Sequence, residues 1–470
     1  MDKTESLALN PLGFEAVVKL LQKFAIPSIV SMLVGALYNI VDQFFIGQKI
    51  GELGNAATNI TFPLSTACVA IALLFGIGGA AAFNLATGEG DNERAAYYVG
   101  NATTMSLIFG SILSITTLLL LTPMLKFFGS PGDVLSHAIT YTKITLFGFP
   151  FLIFTISGGH LIRADGSPKY AMICNLSGAI INIILDPILI FGLNMDMAGA
   201  ALATVIGQIF SSLLVMRYLY NFKTVQIIKQ HLFPKFQYTG RIVSLGAGPA
   251  SNQVAMMIVQ IIMNKSLVFY GALSIYGESI PLASSGIINK VAMVFFSVVI
   301  GISQGMQPIA SFNYGARQFS RVKDVYLLAM RAGFLISSIA FLMFQLIPRQ
   351  IISLFGSGST EYFNFATSYF RIYMFFTFLN CVQPISANFF TSIGKPKKGM
   401  FLALTRQILF LLPLILILPL FLGIKGIIYA GPIADFIAAA VSVAMVIAEF
   451  RIMEIQQAAN VTGEGSPDTL

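Results

Sequence analysis

Of the 20 acidic residues in this 470-residue chain, only Asp42, Asp186 and Asp435 fall well inside long apolar runs. An ionisable group in such a place is costly, and its default reading is functional. Asp42 stands five residues before Gly47, Asp186 six before Gly192, and Thr204 five after Gly199, where each glycine marks the same-side end of its run. At ~1.5 Å rise per residue, all three lie roughly 8–9 Å below that side. Asn182 shares the face of Asp186 one turn deeper, and Asn39 shares that of Asp42. Carboxylates, an amide and a hydroxyl from three helices are therefore predicted to converge at one depth. The chemistry that suits them is reversible cation binding. A carboxyl group short of water and beside a second carboxylate takes up a proton readily and releases it when water enters. Two carboxylates with amide and hydroxyl oxygens also make a hard-cation site suited to Na⁺. The bland alternative has Asp42 capping a broken helix end, Asp186 and Asn182 bonding nearby backbone, and Thr204 bonding its own i−4 carbonyl.

The elements that must position these groups follow from composition. Hydrophobic residues make up 56% of the chain and charged residues 10%. Soluble domains carry about 25% charge, so a large all-α integral membrane protein is expected. Disorder needs low hydrophobicity. Cys68, Cys174 and Cys381 stand alone and odd in number, and His137, His160 and His231 have no ligand spacing, so neither disulfides nor a metal cluster is expected. An enzyme would need a nucleophile–base or metal constellation, and none is present. Runs long enough to span a bilayer occur twelve times, near 24–47, 56–83, 97–121, 139–162, 170–193, 198–222, 242–269, 281–310, 325–347, 362–392, 400–423 and 426–449. The first lacks an A-x-A cleavage site and reads as a retained helix. With the N-terminus inside, 18 Lys and Arg fall on the cytoplasmic side and four (Lys49, Lys126, Arg349, Lys425) outside. That bias predicts a multi-pass protein with both termini cytoplasmic. The net charge of +8 therefore reads as topology and not as a nucleic-acid surface.

A repeat divides the chain. GSPKYAM at 166–172 matches GKPKKGM at 394–400, Gly88 matches Gly315, and Gly199 matches Gly426, at offsets of 228, 227 and 227. Two six-helix halves of like orientation follow, a parallel repeat of transporter type. The predicted parts are a cytoplasmic N-terminal segment 1–23, a first lobe 24–222, a basic linker 223–241, a second lobe 242–450 and a tail 451–470. At the same offset Asn182 maps to Leu409, Asp186 to Pro413 and Thr204 to Gly431, so the polar cluster belongs to the first half alone. In the second half Asp435 is expected to pair with Arg406. Lys265 and Arg371 sit near outer ends and can snorkel, whereas Lys290 lies deeper. Gln253, Met256 and Gln260 line one face of span 7 as candidate substrate contacts, Met being adaptable to varied ligands. Pro27, Pro413 and Pro419 are expected to bend their helices.

VDQFFIG at 41–47, IRADGSPKYAM at 162–172, SQGMQPIASFNYGAR at 303–317 and the second GKPKK resemble the prokaryotic branch of the multidrug and toxic compound extrusion (MATE) family, over about residues 15–452. The resemblance implies two six-helix lobes in a V within the plasma (inner) membrane, a monomer in the lipid bilayer, and efflux of organic, often cationic, small molecules. It implies alternating-access antiport driven by an H⁺ or Na⁺ gradient, with no cofactor beyond that ion. It places the cation site at Asp42, Asn182, Asp186 and Thr204, a substrate contact at Tyr38 beside Asn39, and a bending proline at Pro27. Some relatives carry a second-lobe acidic site with Glu in span 7 and Asp in span 10. Here span 7 offers Gln253 and Gln260 and span 10 has no Asp, so that site is not implied. A lipid-linked oligosaccharide or lipid flippase of the wider superfamily is the alternative.

Overall fold

The computed structural model describes residues 10–128, 132–277, 279–354 and 359–462. The ends of the predicted N-terminal segment and tail, 1–9 and 463–470, lie outside the described residues. Among the described residues every regular element is helical, and the longer helices are α1 Val17–Ile50, α2 Glu52–Gly88, α3 Asn92–Leu119, α4 Gly132–Thr145, α5 Phe149–Ala164, α6 Pro168–Pro187, α7 Asp196–Tyr220, α8 Phe236–Ala272, α9 Ser279–Gly315, α10 Phe319–Leu346, α11 Thr360–Tyr373, α12 Val382–Ser392, α13 Pro396–Leu404, α14 Leu412–Leu422 and α15 Ile424–Thr462. Eleven helical stretches are long and apolar enough to cross a membrane. The remaining predicted run, 362–392, is broken where α11 ends at Tyr373, a 3₁₀ turn covers Thr377–Leu379, and α12 begins at Val382. Pro384 has no amide hydrogen and is tolerated only in the first turn of the new helix. The fourth run has a like break, with a 3₁₀ turn at Leu146–Gly148 just before Pro150. Large apolar side chains such as Leu119, Leu346 and Phe421 stay exposed, as a surface solvated by lipid requires.

The chain forms two compact units, Ile26–Val254 and Met1–Ala25 with Ala255–Leu470. Helices α1 and α8 are thus each divided between units. In the first unit the start of α8 packs on α2, where a Cβ on Gly78 would fall 2.1 Å from the Ile242 carbonyl oxygen. In the second unit the start of α1 packs on α9, where a Cβ on Gly305 would fall 2.6 Å from Ala25 Cα. No residue but glycine fits either contact, and the two glycines are 227 residues apart. The backbone repeats with the same period. Left-handed φ values recur at Gly51 and Gly277, Gly90 and Arg317, Gly166 and Gly394, and Asp196 and Gly423, pairs 226, 227, 228 and 227 residues apart.

The segment before each divided helix is pinned to its unit. In the second unit Asn313 and Arg321 donate to the Leu12 carbonyl, and Arg321 also donates to that of Glu15. In the first unit the predicted linker is tightly held. Buried Asp165 accepts from the Tyr218 hydroxyl (2.8 Å), the amides of Lys223 (2.8 Å) and Thr224 (2.9 Å), and the Thr224 hydroxyl (2.5 Å). Burial pushes the Asp165 carboxyl above its ordinary range, and the four donors pull the other way. Asn101 binds the carbonyls of His231 and Phe233 and accepts from the Lys235 amide, and Tyr97 stacks on Tyr238. Asp165→Ala strands four donors, two of them backbone amides, which should cost about 2–4 kcal/mol. The expected result is a melting temperature in detergent lowered by several degrees, with faster proteolysis between 223 and 235. An unchanged protease map would show that the linker does not depend on this carboxylate.

Candidate functional site

Helices α1 and α6 lie side by side in the first unit, and their register sets the site. Asn175 Nδ2 donates to Ser31 Oγ at 2.8 Å. Eleven residues beyond each partner, 42 from 31 and 186 from 175, stand Asp42 and Asp186. Eleven residues is close to three full turns, so both carboxyl groups return to the faces that meet at Ser31 and Asn175. The two carboxyl groups are close neighbours, each near enough to act on the other electrostatically. Toward the far end, Lys49 Nζ donates to Asn194 Oδ1 at 2.8 Å and pins the two strands of chain again.

Helix α7 joins through a glycine crossing. A Cβ on Gly207 would lie 2.6 Å from the Gly178 carbonyl oxygen, and one on Gly178 would lie 2.2 Å from Ser211 Oγ. With the backbones this close, Asn182 Nδ2 reaches Thr204 Oγ1 at 3.2 Å and Asp186 Oδ1 at 3.4 Å, while Thr204 Oγ1 donates to the Ala200 carbonyl at 3.0 Å. The local i−4 bond of Thr204 is therefore made, and the residue is a cluster member as well. Directly after Asp186, Pro187 removes one amide and the chain widens into a π turn over Ile188–Gly192, a distortion frequent at functional sites.

Asp186 is fully buried, and Asn182, Asp42 and Thr204 are at most 8% exposed. Asp42 Oδ1, Asn182 Oδ1 and Asp186 Oδ2 receive no hydrogen bond. Three donorless oxygens, two of them on carboxyl groups in contact, are an incomplete polar network unless a cation or proton lies among them. That set of oxygens fits either H⁺ or Na⁺.

Tyr38 joins the cluster, its hydroxyl against Thr204 and near both carboxyls. Tyr141 of α4 reaches Thr204 in the same way. Sequence reasoning missed Tyr141, because its only signal is a hydroxyl in an apolar run and nothing local ties α4 to α1 or α6. Asn39 does not join. It is exposed and its amide bonds the Gly35 carbonyl one turn back at 2.8 Å, so the face it shares with Asp42 does not bring its side chain inward. Gln253, Met256 and Gln260 lie along α8. Gln260 Nε2 donates to Asn264 Oδ1 at 2.9 Å, and Asn289 Nδ2 donates to Gln260 Oε1 at 3.2 Å. Pro27 sits within α1, which runs through it as one continuous helix, next to the Ala25/Ile26 unit boundary. In the second unit Arg406 Nε binds Asp435 Oδ1 at 2.5 Å, the pairing expected from sequence. Lys290 is exposed on α9 and makes no ion pair among the described residues.

A family model described as MatE matches residues 27–188 and 253–417. The chain belongs to the multidrug and toxic compound extrusion (MATE) family. Membership makes it a multi-pass membrane transporter and not an enzyme. It is similar to the multidrug export protein MepA of Staphylococcus haemolyticus, with 26% identity over 425 residues, 90% of this chain and 92% of the relative. MepA of Staphylococcus saprophyticus is 23% identical over the same shares. Among solved structures, an outward-facing multidrug resistance MATE transporter of the MOP superfamily superposes with a TM-score of 0.86 at 23% identity, covering 97% of this chain and 99% of that one. A MATE protein in its straight conformation gives 0.87 at the same identity and coverage. These likenesses establish the fold of this MATE protein, and the site rests on its own residues.

Gly207→Val tests the crossing. The added carbons meet backbone at Gly178, so overpacking should cost about 1–3 kcal/mol. Folded Gly207→Val protein, recovered as a monodisperse peak, is expected to lose most gradient-driven transport. Transport at the wild-type rate would show that close α6–α7 contact is not what holds Asn182 against Thr204.

Proposed function

We propose that this MATE protein exports organic, often cationic, small molecules by alternating access, in exchange for H⁺ or Na⁺ bound at Asp42, Asn182, Asp186 and Thr204. The observation that carries this reading is the trio of buried, donorless oxygens on Asp42, Asn182 and Asp186. Burying two carboxyl groups in an apolar bundle is tolerable when a cation or proton is held between them and costly when it is not. A cation that arrives from outside therefore neutralises the pair and favours close packing of α1, α6 and α7. When it leaves, the pair repels, water enters and an organic cation is favoured instead. Cation and substrate compete for one charge state, and that competition is what makes the exchange obligatory. Tyr38, beside Thr204, is placed to meet substrate at the edge of the cluster, and Pro27 is the point at which α1 lacks a backbone hydrogen bond and can bend. The basic ends of the spans support a plasma-membrane orientation with both termini in the cytoplasm.

The test is efflux of a fluorescent organic cation from vesicles containing the full chain, driven in separate runs by a pH gradient and by a Na⁺ gradient. Asp42→Asn and Asp186→Asn keep size and hydrogen bonding but remove the charge. Each is expected to abolish driven efflux while the protein remains folded and membrane-inserted. Which gradient drives wild type names the ion. If Na⁺ is the ion, it should also raise the melting temperature of wild type, by the equivalent of about 2.7 kcal/mol at a hundredfold excess over its Kd, and leave both variants unmoved. Wild-type efflux by both variants would overturn the assignment.

A further inference from the structure

The second unit holds a polar feature that cation coupling does not use. On α8 and α9 three amides form a ladder of fixed polarity, in which Asn289 Nδ2 donates to Gln260 Oε1 and Gln260 Nε2 donates to Asn264 Oδ1. Each step consumes an acceptor, so the last member, Asn264, keeps both amide hydrogens for something else. Asn264 borders an open cleft of about 540 Å³, whose walls include Lys265, Val268 and the exposed side chains of Phe269, Leu273 and Leu282. That volume suits a drug-sized molecule. Lys265 adds three more N–H donors and makes no ion pair among the described residues. No described residue lining the cleft carries a carboxylate. The polar end of the cleft therefore presents donors, and the rest is aliphatic and aromatic.

We propose that Asn264 and Lys265 form a subsite for an anionic acceptor group, and that substrates carrying a carboxylate on an aromatic body, zwitterions included, place it there. Lys265 is exposed beside this apolar wall, so its ammonium is open to a partner that also covers the wall. A carboxylate satisfies Lys265 with one oxygen and Asn264 with the other, while Phe269, Leu273 and Leu282 cover the ring system. The proposal rests on the export reading for its substrate, and it adds the acidic group that the first-unit carboxyls would repel. A phospholipid headgroup offers the same chemistry through its phosphate.

Rhodamine 110 and rhodamine 123 differ only by methylation of one carboxyl group, so the pair isolates that interaction. Binding to the purified full-length protein, read by fluorescence polarisation without any gradient, is compared for wild type, K265M and K265R. K265M is expected to weaken the acid about tenfold or more, the loss of a charge-assisted bond, and to leave the ester within about twofold; K265R is expected to retain the acid. Equal losses for the two dyes, or none, would overturn the subsite. Glu278 lies outside the described residues, and E278Q is expected to leave the acid-to-ester ratio unchanged. A rise as large as the K265M loss would instead assign Lys265 to that carboxylate. The lipid source is tested by repeating the comparison in phosphatidylcholine vesicles with and without phosphatidylglycerol. Acid binding that the anionic lipid abolishes in wild type would give the subsite to the headgroup and overturn the substrate assignment. Transport stays separable: discrimination in binding with no driven efflux of either dye would sink the export reading alone, and efflux of the ester with no discrimination would sink the subsite alone.

Discussion

Two carboxyl groups in contact inside an apolar bundle set the terms for the first unit. Their mutual repulsion and lost hydration are large if both are charged and small if a proton or cation lies between them. Every neighbouring contact serves to keep them there. Ser31 with Asn175 fixes the register of α1 against α6, and Gly178 with Gly207 lets α7 close enough for Thr204 to meet Asn182. The surrounding helix turns are tied by Lys49 with Asn194 and by Ser211 with the Cys174 carbonyl. Under the proposed exchange, the packing of this element would follow its occupancy.

The two halves share a backbone and differ in what they bury. Left-handed residues and the Gly78 and Gly305 contacts recur with one period. At the crossing of the last two long runs the halves diverge. Positions matching Gly178 and Gly207 are Thr405 and Ala434. Both carry side chains where the first half has glycine, the chain widens into a π turn over Thr405–Leu411, and the following residues, Arg406 and Asp435, pair with each other. A balanced ion pair needs no external cation. The same scaffold therefore carries an open acidic cluster in one half and a closed, self-neutralised one in the other.

Helices α1 and α8 are divided between the units, and a short segment precedes each of them. Each unit holds its segment through buried polar groups, Asn313 and Arg321 in one, Asp165 and Asn101 in the other. Glu449, fully buried, binds Lys395 and Lys398 and anchors the loop that repeats GSPKY. Pro27 in α1 and Pro249 in α8 are the positions where each helical ladder lacks a bond.

Much of this was legible in the chain itself, because the bilayer is a severe solvent. Backbone must be paired within helices and charge excluded from spans, so length, apolar runs and the misplaced Asp42, Asp186 and Asp435 follow from residue types alone. Periodicity placed Asn182 over Asp186, and the equal depths of Asp42, Asp186 and Thr204 pointed to one site. Asn39 shows the limit of that reasoning, since a face is shared over a wide arc and its amide turned to Gly35 instead. The break at Thr377–Leu379, the docking of 223–235, the entry of Tyr141 and the amide ladder ending at Asn264 depend on contacts between residues far apart in the chain. Depth is a one-dimensional property that each helix carries by itself. Which helices touch, and through which glycines, is settled only when their surfaces compete for the same space.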